Sequence, residues 1–216
     1  MIRSLCSTGL ESTYGLYPSL SQLLCLLEVE EAGSFQASYS QSDHTLAFLK
    51  DWKERLPLLN SDFQFVEPVL AARCSLLYCL LHNAVAEVKG QSPPPMELRR
   101  KVEHLYDALA ESLLTRVRFA REAGSYQVCE GALFALKRHL GQLGNYGVSE
   151  SLHPALPWTL KMEEAKLNWE RKDQSLAMAL LKTLLTKLSA VSLKQLCYNQ
   201  HCNSPLIAAV RALPIS

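Results

Sequence analysis

The stretch WTLKMEEAKLNWERKDQSLAMALLKTLLTKL, residues 158–188, decides the fold of this chain. It has the pattern of two short helices joined by almost no loop. Met162, Ala165 and Trp169 recur at i, i+3 and i+7, which predicts a buried stripe with Trp169 as a core residue. Asp173 then stands where an N-cap is expected, because its carboxylate can accept hydrogen bonds from the free amides of the second helix.

The second helix of this stretch carries more leucines than one stripe needs. Its apolar positions are Ala177, Leu180, Leu181, Leu184, Leu185 and Leu188. So wide an apolar face has to be buried against another element. No strong helix follows to cover Leu184 and Leu188, so we expect the isolated chain to self-associate. The substitutions Leu184→Lys and Leu188→Lys should then reduce association without unfolding the chain.

An earlier stretch has the same layout. Its first helix carries apolar residues at steps of three and four: Leu98, Val102, Leu105, Leu109, Leu113, Val117 and Ala120. Gly124 ends that helix, and Ser125 can cap the next. Aligning Gly124 with Asp173 separates the two units by 49 residues. A helix–turn–helix unit that occurs twice predicts an all-α chain, an α-solenoid of TPR-like antiparallel helix pairs.

Proline- and glycine-rich segments divide the chain. We predict an N-terminal helical part over 1–92, two TPR-like helix pairs over 93–190 and an irregular tail over 191–216. The segment GQSPPP at 90–95 is read as a rigid linker.

Three helices are expected in the N-terminal part. The first begins at Pro18 and is stopped by Gly33, the second covers about 44–56, and the third begins at Pro68 and runs to about Val88. The predicted inward positions of the first two helices are Leu20, Leu23, Leu24 and Leu27, and then Leu46, Leu49, Trp52 and Leu56.

Composition excludes several classes of protein. The formal net charge is +1, which gives no electrostatic case for a nucleic-acid groove. No apolar run reaches the ~18 residues of a membrane span. The seven cysteines are odd in number and lack framework spacing, so we expect reduced thiols inside a cell.

The residues give no catalytic, cofactor or metal site. Cys197, His201 and Cys202 form a small cluster, but zinc needs a fourth ligand and normally a second close pair, so we read them as ordinary tail residues. Asp62-Phe63-Gln64 is similar to a magnesium motif of kinases, but Gln replaces the glycine and no catalytic loop accompanies it. The glycines Gly141, Gly144 and Gly147 follow no strand, as a phosphate loop would, and are read as a loop.

The remaining candidates have structural explanations. Cys74 and Cys79 lie on an apolar helix, where burial as small hydrophobes is expected. The histidines His44, His82, His104, His139 and His153 have no triad-like neighbours. The basic runs at 99–101 and 137–139 are expected to form solvated faces.

Three blocks of the sequence carry a family resemblance: LESTYGLYPSLSQLLCLLEVEEAG at 10–33, LLNSDFQFVEPVLAARCSLL at 58–77 and KMEEAKLNWERKDQSLAMALLKTLLTKL at 161–188. They resemble, in order and spacing, the FAT region of the phosphatidylinositol 3-kinase-related serine/threonine protein kinases. The motif E-E-A-x-x-x-W-x-x-K-x-x-S-L-A at 163–177 is the most specific part. The two earlier blocks resemble the family member that signals DNA double-strand breaks.

The resemblance implies a solenoid that clamps a C-terminal kinase domain and contributes to a homodimer. It also implies a nuclear protein that phosphorylates Ser or Thr before Gln. The kinase domain, with its ATP and magnesium residues, has no counterpart in these residues, so the resemblance assigns no catalytic, cofactor-binding or metal residue here. The tail after about residue 190 departs from the family pattern.

We therefore expect a non-catalytic scaffold fragment of a larger protein kinase, inactive alone. Its partners would be the kinase domain and the neighbouring solenoid, with no direct contact to nucleic acid or a membrane. The alternative is a free-standing TPR-like adaptor that binds a partner helix or peptide in its concave face.

Overall fold

The segments with helical spacing of apolar residues form α-helices in the computed structural model, which describes residues 13–37, 42–59, 62–146 and 155–196. The longer helices in these ranges are α1 (Tyr17–Ala37), α2 (Ser42–Arg55), α3 (Phe63–Gly90), α4 (Met96–Glu122), α5 (Tyr126–Gly141), α6 (Leu156–Glu170) and α7 (Gln174–Leu196). Short helical turns cover Thr13–Leu16, Leu56–Leu58 and Leu143–Tyr146. None of the described residues forms a strand, and the predicted all-α class is confirmed.

The helices stack largely in chain order. α1 packs on α3, α3 on α4, α4 on α5, α5 on α6, and α6 on α7, while α2 lies against α4. Helices that follow each other directly through a short connection, such as α3 and α4, run antiparallel. α1 and α3 run parallel, because Ser21 bonds to Phe65 and, about two turns further on, Glu28 bonds to Arg73. This succession of helix pairs is the α-solenoid that the sequence predicts.

The main core runs along α3, α4 and α5, where Leu81, Leu105 and Leu136 are fully buried. The predicted α4 stripe is buried from Val102 to Ala120. A smaller cluster fastens α1 to the start of α3 and comprises Leu24, Leu59, Val66, Val69 and Leu70. Burial on both sides explains why α3 is so apolar.

α3 is long and apolar enough to cross a bilayer by length and composition, which the sequence reading did not anticipate. About half of its most apolar window is buried inside the chain, against α1 and α4. A core helix of a folded domain meets the same criteria, since it is apolar around most of its circumference.

The predicted end of α1 at Gly33 is wrong. The helix continues to Ala37, so part of the expected polar loop is helical. Its buried stripe is Ser21, Leu24, Glu28, Ala32 and Phe35, whereas Leu27 is exposed. The extra turn is held by Phe35, whose ring stacks on Phe48 of α2 with centroids 4.6 Å apart.

One further helix boundary and one inward position differ from prediction. α3 begins at Phe63, five residues before Pro68, because Asp62 acts as the N-cap and accepts a hydrogen bond from the Gln64 amide at 3.3 Å. Pro68 lies in an exposed position of the second turn. In α2, Trp52 is buried as predicted, but Leu46 is exposed.

The helix–turn–helix repeat is real, with a spacing of 48 residues rather than the predicted 49. Gly124 and Lys172 both have positive φ, +70° and 67°. The following amide in each case bonds five residues back, Ser125 to Ala120 at 2.8 Å and Asp173 to Asn168 at 2.9 Å. Gly124 therefore corresponds to Lys172, not to Asp173.

The second helices of the two units match at this corrected spacing. Cys129 and Leu136 of α5 are buried, as are their counterparts Ala177 and Leu184 of α7. Asp173 caps α7 as predicted, accepting from the Leu176 amide at 3.2 Å. Ser125 is the N-cap residue of α5, but its side chain makes no capping bond.

Two predictions about α6 and α7 are wrong. Trp169 is 50% exposed, because the buried positions of α6 are Leu160, Glu163, Ala165 and Leu167. Leu184 is only 2% exposed and packs inward. A lysine there would disrupt the packing of α7 on α6. The double substitution Leu184→Lys with Leu188→Lys therefore cannot test self-association.

The predicted domain boundaries stay predictions. The boundary at residue 92 falls between α3 and α4, which pack along each other in one core. α7 continues to Leu196, past the expected start of the irregular tail, and the tail from 197 lies outside the described residues.

The paired helix ends lead to a first prediction. Replacing Lys172 by glycine should raise the free energy of unfolding by about 1 kcal/mol, because a side chain is disfavoured at positive φ. Replacing Gly124 by alanine should lower it by a similar amount. Urea unfolding of the two variants measures both shifts. A Lys172→Gly variant less stable than the parent would contradict the expectation.

Candidate functional site

A groove of about 820 Å³ opens between α2, α3 and α4. Its buried floor includes Trp52, Leu70 and Leu77, and exposed Leu46 lies on its wall. At its rim Lys53 of α2 pairs with Glu111 of α4 at 2.5 Å. We call this space the α2 groove. It offers an apolar floor with a charged rim, which suits an apolar side chain of a partner better than a small polar substrate.

A buried ion pair joins α1 to α3 below the groove. The Nε of Arg73 donates to both carboxylate oxygens of Glu28 at 3.2 Å, and its Nη2 makes a close contact with the same group. The Arg73 guanidinium also lies 5.6 Å from the ring centre of Trp52. Burial raises the pKa of Glu28, although Arg73 opposes this.

A second carboxylate ties α2 into the same assembly. Glu31 of α1 accepts a hydrogen bond from Arg55 at 2.7 Å and from the Trp52 indole at 2.9 Å. The Arg55 hydrogen bond lowers the pKa of Glu31, which outweighs partial burial. Three helices are thus joined by two carboxylates, and Trp52 is held on two sides.

A further cluster of charges joins α4 to α6. Glu163 is almost fully buried and accepts from Lys166 at 3.0 Å, Arg121 at 3.2 Å and Arg118 at 3.4 Å. Arg121 also donates to Glu170 at 2.5 Å. Burial alone would raise the pKa of Glu163, but Lys166 and the two arginines outweigh it and lower the pKa. A carboxylate surrounded by three cations is suited to joining helices and not to accepting a proton.

The Cys and His candidates that lie within the described residues do not converge. Cys197, His201, Cys202 and Gly147 lie outside the described residues. Among the residues that the structure describes, no group of three or more His, Cys, Asp or Glu could hold a metal. The motif Asp62-Phe63-Gln64 forms the N-cap of α3. Gly141 ends α5, and Gly144 lies in the next helical turn.

Burial determines how reactive the described cysteine thiols are. Burial raises the pKa of Cys74 and of Cys129 to about 11, so both stay protonated and poorly nucleophilic. Cys79 is exposed, contrary to the prediction, because it lies on the side of α3 that faces away from the core.

The two basic runs are only partly solvated. Arg99 and Arg100 are exposed, but Lys101 is buried with its ammonium 4.9 Å from the ring centre of Phe35. In the second run His139 is buried, with Nε2 3.0 Å from the Tyr106 carbonyl oxygen. Burial lowers the pKa of His139. Both residues are core components.

The charged residues that join the helices were not predicted from the sequence. Glu28, Arg73 and Glu163 are charged, so a search for apolar periodicity passes over them. A weak signal existed for Glu28, which lies four residues after Leu24 and four before Ala32 on the true stripe of α1.

Comparison with known proteins settles the family. The sequence model of the family described as FAT domain matches residues 1–207. This chain belongs to the FAT domain family. The FAT chain is also 35% identical over 190 residues, 88% of its length, to the serine-protein kinase ATM of Sus scrofa. Those residues are 6% of that kinase, so the FAT chain spans a small part of the relative that it matches.

The Glu163 cluster of the FAT chain leads to a second prediction, on pH. Because the folded-state pKa of Glu163 is lowered, its ionised form stabilises the fold above the unfolded-state pKa of about 4.3. That contribution is lost as the pH falls through the folded-state pKa. Glu163→Gln should cost about 1–3 kcal/mol at neutral pH and lose less stability on acidification.

Urea unfolding at neutral and acidic pH measures this difference. The matched control is Glu54→Gln, which removes an exposed pair with Lys50. The control should follow the parent chain at every pH. Parallel pH profiles for Glu163→Gln and the parent would contradict the assignment.

Proposed function

We propose that this FAT chain is a non-catalytic helical scaffold within a serine/threonine protein kinase of the DNA-damage response. The observation that carries the proposal is the combination of family and architecture. The stacked helix pairs are joined across their interfaces by arginine–glutamate pairs, such as Arg116–Glu67 at 2.6 Å between α4 and α3. Ion pairs at the interfaces keep the helices at fixed positions relative to one another, as a support for a catalytic domain requires.

The activity of the whole protein is part of the same proposal. Similarity to a serine-protein kinase supports kinase activity in the whole protein. The family resemblance of the sequence implies that this activity is directed to Ser or Thr before Gln after double-strand breaks, in the nucleus. Its kinase domain, a neighbouring solenoid and a second subunit would be the partners of the FAT chain. ATP and magnesium would bind in the kinase domain.

To test the proposal, the endogenous protein is tagged in cells of the organism that the sequence comes from. It is isolated before and after double-strand breaks are induced in the DNA of these cells. Kinase activity is measured on a pair of peptides that differ only in Gln or Ala after the target serine. Damage-stimulated activity on the Ser-Gln peptide alone is expected. An endogenous polypeptide of only 216 residues, or one without this activity, would overturn the proposal.

A second candidate function is a free-standing adaptor, and the α2 groove favours it. Its apolar floor beside exposed Leu46 could receive a side chain from a partner helix or peptide. Leu46→Glu should then abolish capture of a partner that the unchanged chain retains. The exposed Leu176→Glu of α7, outside the groove, is the matched control. Equal capture by both variants would exclude the groove as the binding site.

A further inference from the structure

α1 carries exposed apolar residues on the side away from the core in addition to its buried stripe. Leu26, Val29, Glu30 and Gly33 recur at i, i+3, i+4 and i+7, opposite the stripe that packs on α3. Leu26 is 60% exposed, and Val29 and Glu30 are also exposed. We call these four residues the α1 outer face. Two large exposed apolar residues one turn apart form a small apolar patch that another surface can cover.

α7 carries a face with the same spacing. Met178, Leu181, Lys182 and Leu185 also recur at i, i+3, i+4 and i+7, beside the buried stripe of that helix. Leu185 is 42% exposed, Met178 is similarly exposed, and Leu181 is half-buried. We call these four residues the α7 outer face. Among the residues that the structure describes, α1 and α7 are the first and last long helices of the stack, so the two faces lie at opposite ends of the described part.

The charges of the two faces are opposite. α1 contains three glutamates and no lysine or arginine, and α7 contains three lysines and no acidic residue. Two of the glutamates, Glu28 and Glu31, are engaged by arginines within the chain. The exposed Glu30 has the same place in the α1 outer face as the exposed Lys182 has in the α7 outer face.

Gly33 adds a steric argument. It lies inside α1, where glycine costs the helix about 1 kcal/mol relative to alanine. A Cβ at this position would meet nothing within 4 Å, so packing against the described part of the chain does not require a glycine. Its flat surface lets another helix approach the α1 outer face closely.

We propose that the α1 outer face of one copy of this chain binds the α7 outer face of a second copy, head to tail. In a solenoid each unit packs on the next through a leading and a trailing face, so the two ends are complementary to each other. Such a head-to-tail contact leaves one face free on each copy of a dimer, so association continues past the dimer into rings or open chains. The proposal does not depend on the kinase role and concerns the isolated chain.

Charge reversal tests the pairing. In sedimentation velocity, the average mass of the unchanged chain should rise with concentration without a plateau at the dimer. Glu30→Lys and Lys182→Glu should each weaken association at low salt by about tenfold or more, because each places like charges together. An equimolar mixture of the two variants should associate like the unchanged chain, since the reversed charges then face each other.

Matched controls separate this pairing from a general effect of net charge. Glu54→Lys and Lys89→Glu make the same charge changes at other exposed positions and should leave association unchanged. A monomer at all concentrations, a closed dimer, equal effects of the controls or failure of the mixture to associate would each overturn the proposal. A monomer would mean that another segment or a different partner covers these faces.

A neutral variant guards against loss of folding. Gly33→Gln replaces a poor helix residue by a good one at an open position, so it should raise the melting temperature. It also places a side chain on the α1 outer face and should weaken association severalfold. A variant that melts higher and associates as strongly as the parent would contradict the proposed contact.

Discussion

Replacing Arg73 by methionine is expected to lower the free energy of unfolding by about 3–5 kcal/mol. The substitution keeps much of the volume but leaves the carboxylate of Glu28 buried without its cation. A lone buried carboxylate is costly because it loses hydration and gains no partner. Urea unfolding at neutral pH measures the loss. A loss below about 1 kcal/mol would show that water or another cation reaches Glu28.

A double variant separates the cost of the orphaned charge from the value of the pair. Replacing both Glu28 and Arg73 by methionine should recover most of the stability, since apolar replacements of buried pairs are often neutral or stabilising. The single Arg73→Met variant should also regain stability at acidic pH. A carboxyl group with a raised folded-state pKa stabilises the fold only while it is protonated. The fold therefore loses stability as the pH rises through that pKa and regains it when the pH falls again. A double variant as unstable as the single one would contradict this account.

Replacing Trp52 by alanine is the second large effect, at about 3–5 kcal/mol. The indole is only 1% exposed, packs on Phe48 with centroids 4.6 Å apart, and donates to Glu31. Truncation therefore removes apolar contacts, leaves a cavity and frees one hydrogen-bond acceptor. Because Arg73 lies over the same ring, the losses of Trp52→Ala and Arg73→Met should not add.

Trp169 supplies the matched control for Trp52. It is half exposed at the end of α6, so Trp169→Ala should cost less than about 1 kcal/mol. Thermal or urea unfolding of both alanine variants gives the comparison directly. Equal losses of stability would show that another surface covers Trp169 in solution.

The arginine–glutamate pairs explain how the stack keeps its order. Pairs join α1 to α3, α3 to α4 and α4 to α6, through Glu28–Arg73, Glu67–Arg116 and Glu163–Arg121. Apolar stripes alone would allow neighbouring helices to slide by a turn. A hydrogen-bonded ion pair loses its geometry on such a shift, and we infer that the pairs specify register more than they add stability.

The helices themselves were largely predictable, because local spacing is sufficient to reveal an amphipathic helix. The α4 stripe and the caps at Gly124 and Asp173 are local features, and all of them are confirmed. The failures occur where a helix has apolar residues on two sides. In α1 and α6 the periodicity allows more than one inward face, and it selected Leu27 and Trp169, both of which are exposed.

The sequence alone determined that this chain is all-α, that it repeats a helix pair and that it resembles the FAT region. These properties follow from the spacing of apolar residues, from the capping residues and from the motif at 163–177. Each of these features involves residues that lie within a few helical turns of each other. The tertiary structure decided which face of each helix is buried and which charges lie inside. Glu28 and Arg73 are 45 residues apart, so only packing brings them together. Burial of a charge is favourable only beside its partner, and that partner is supplied by a distant part of the chain.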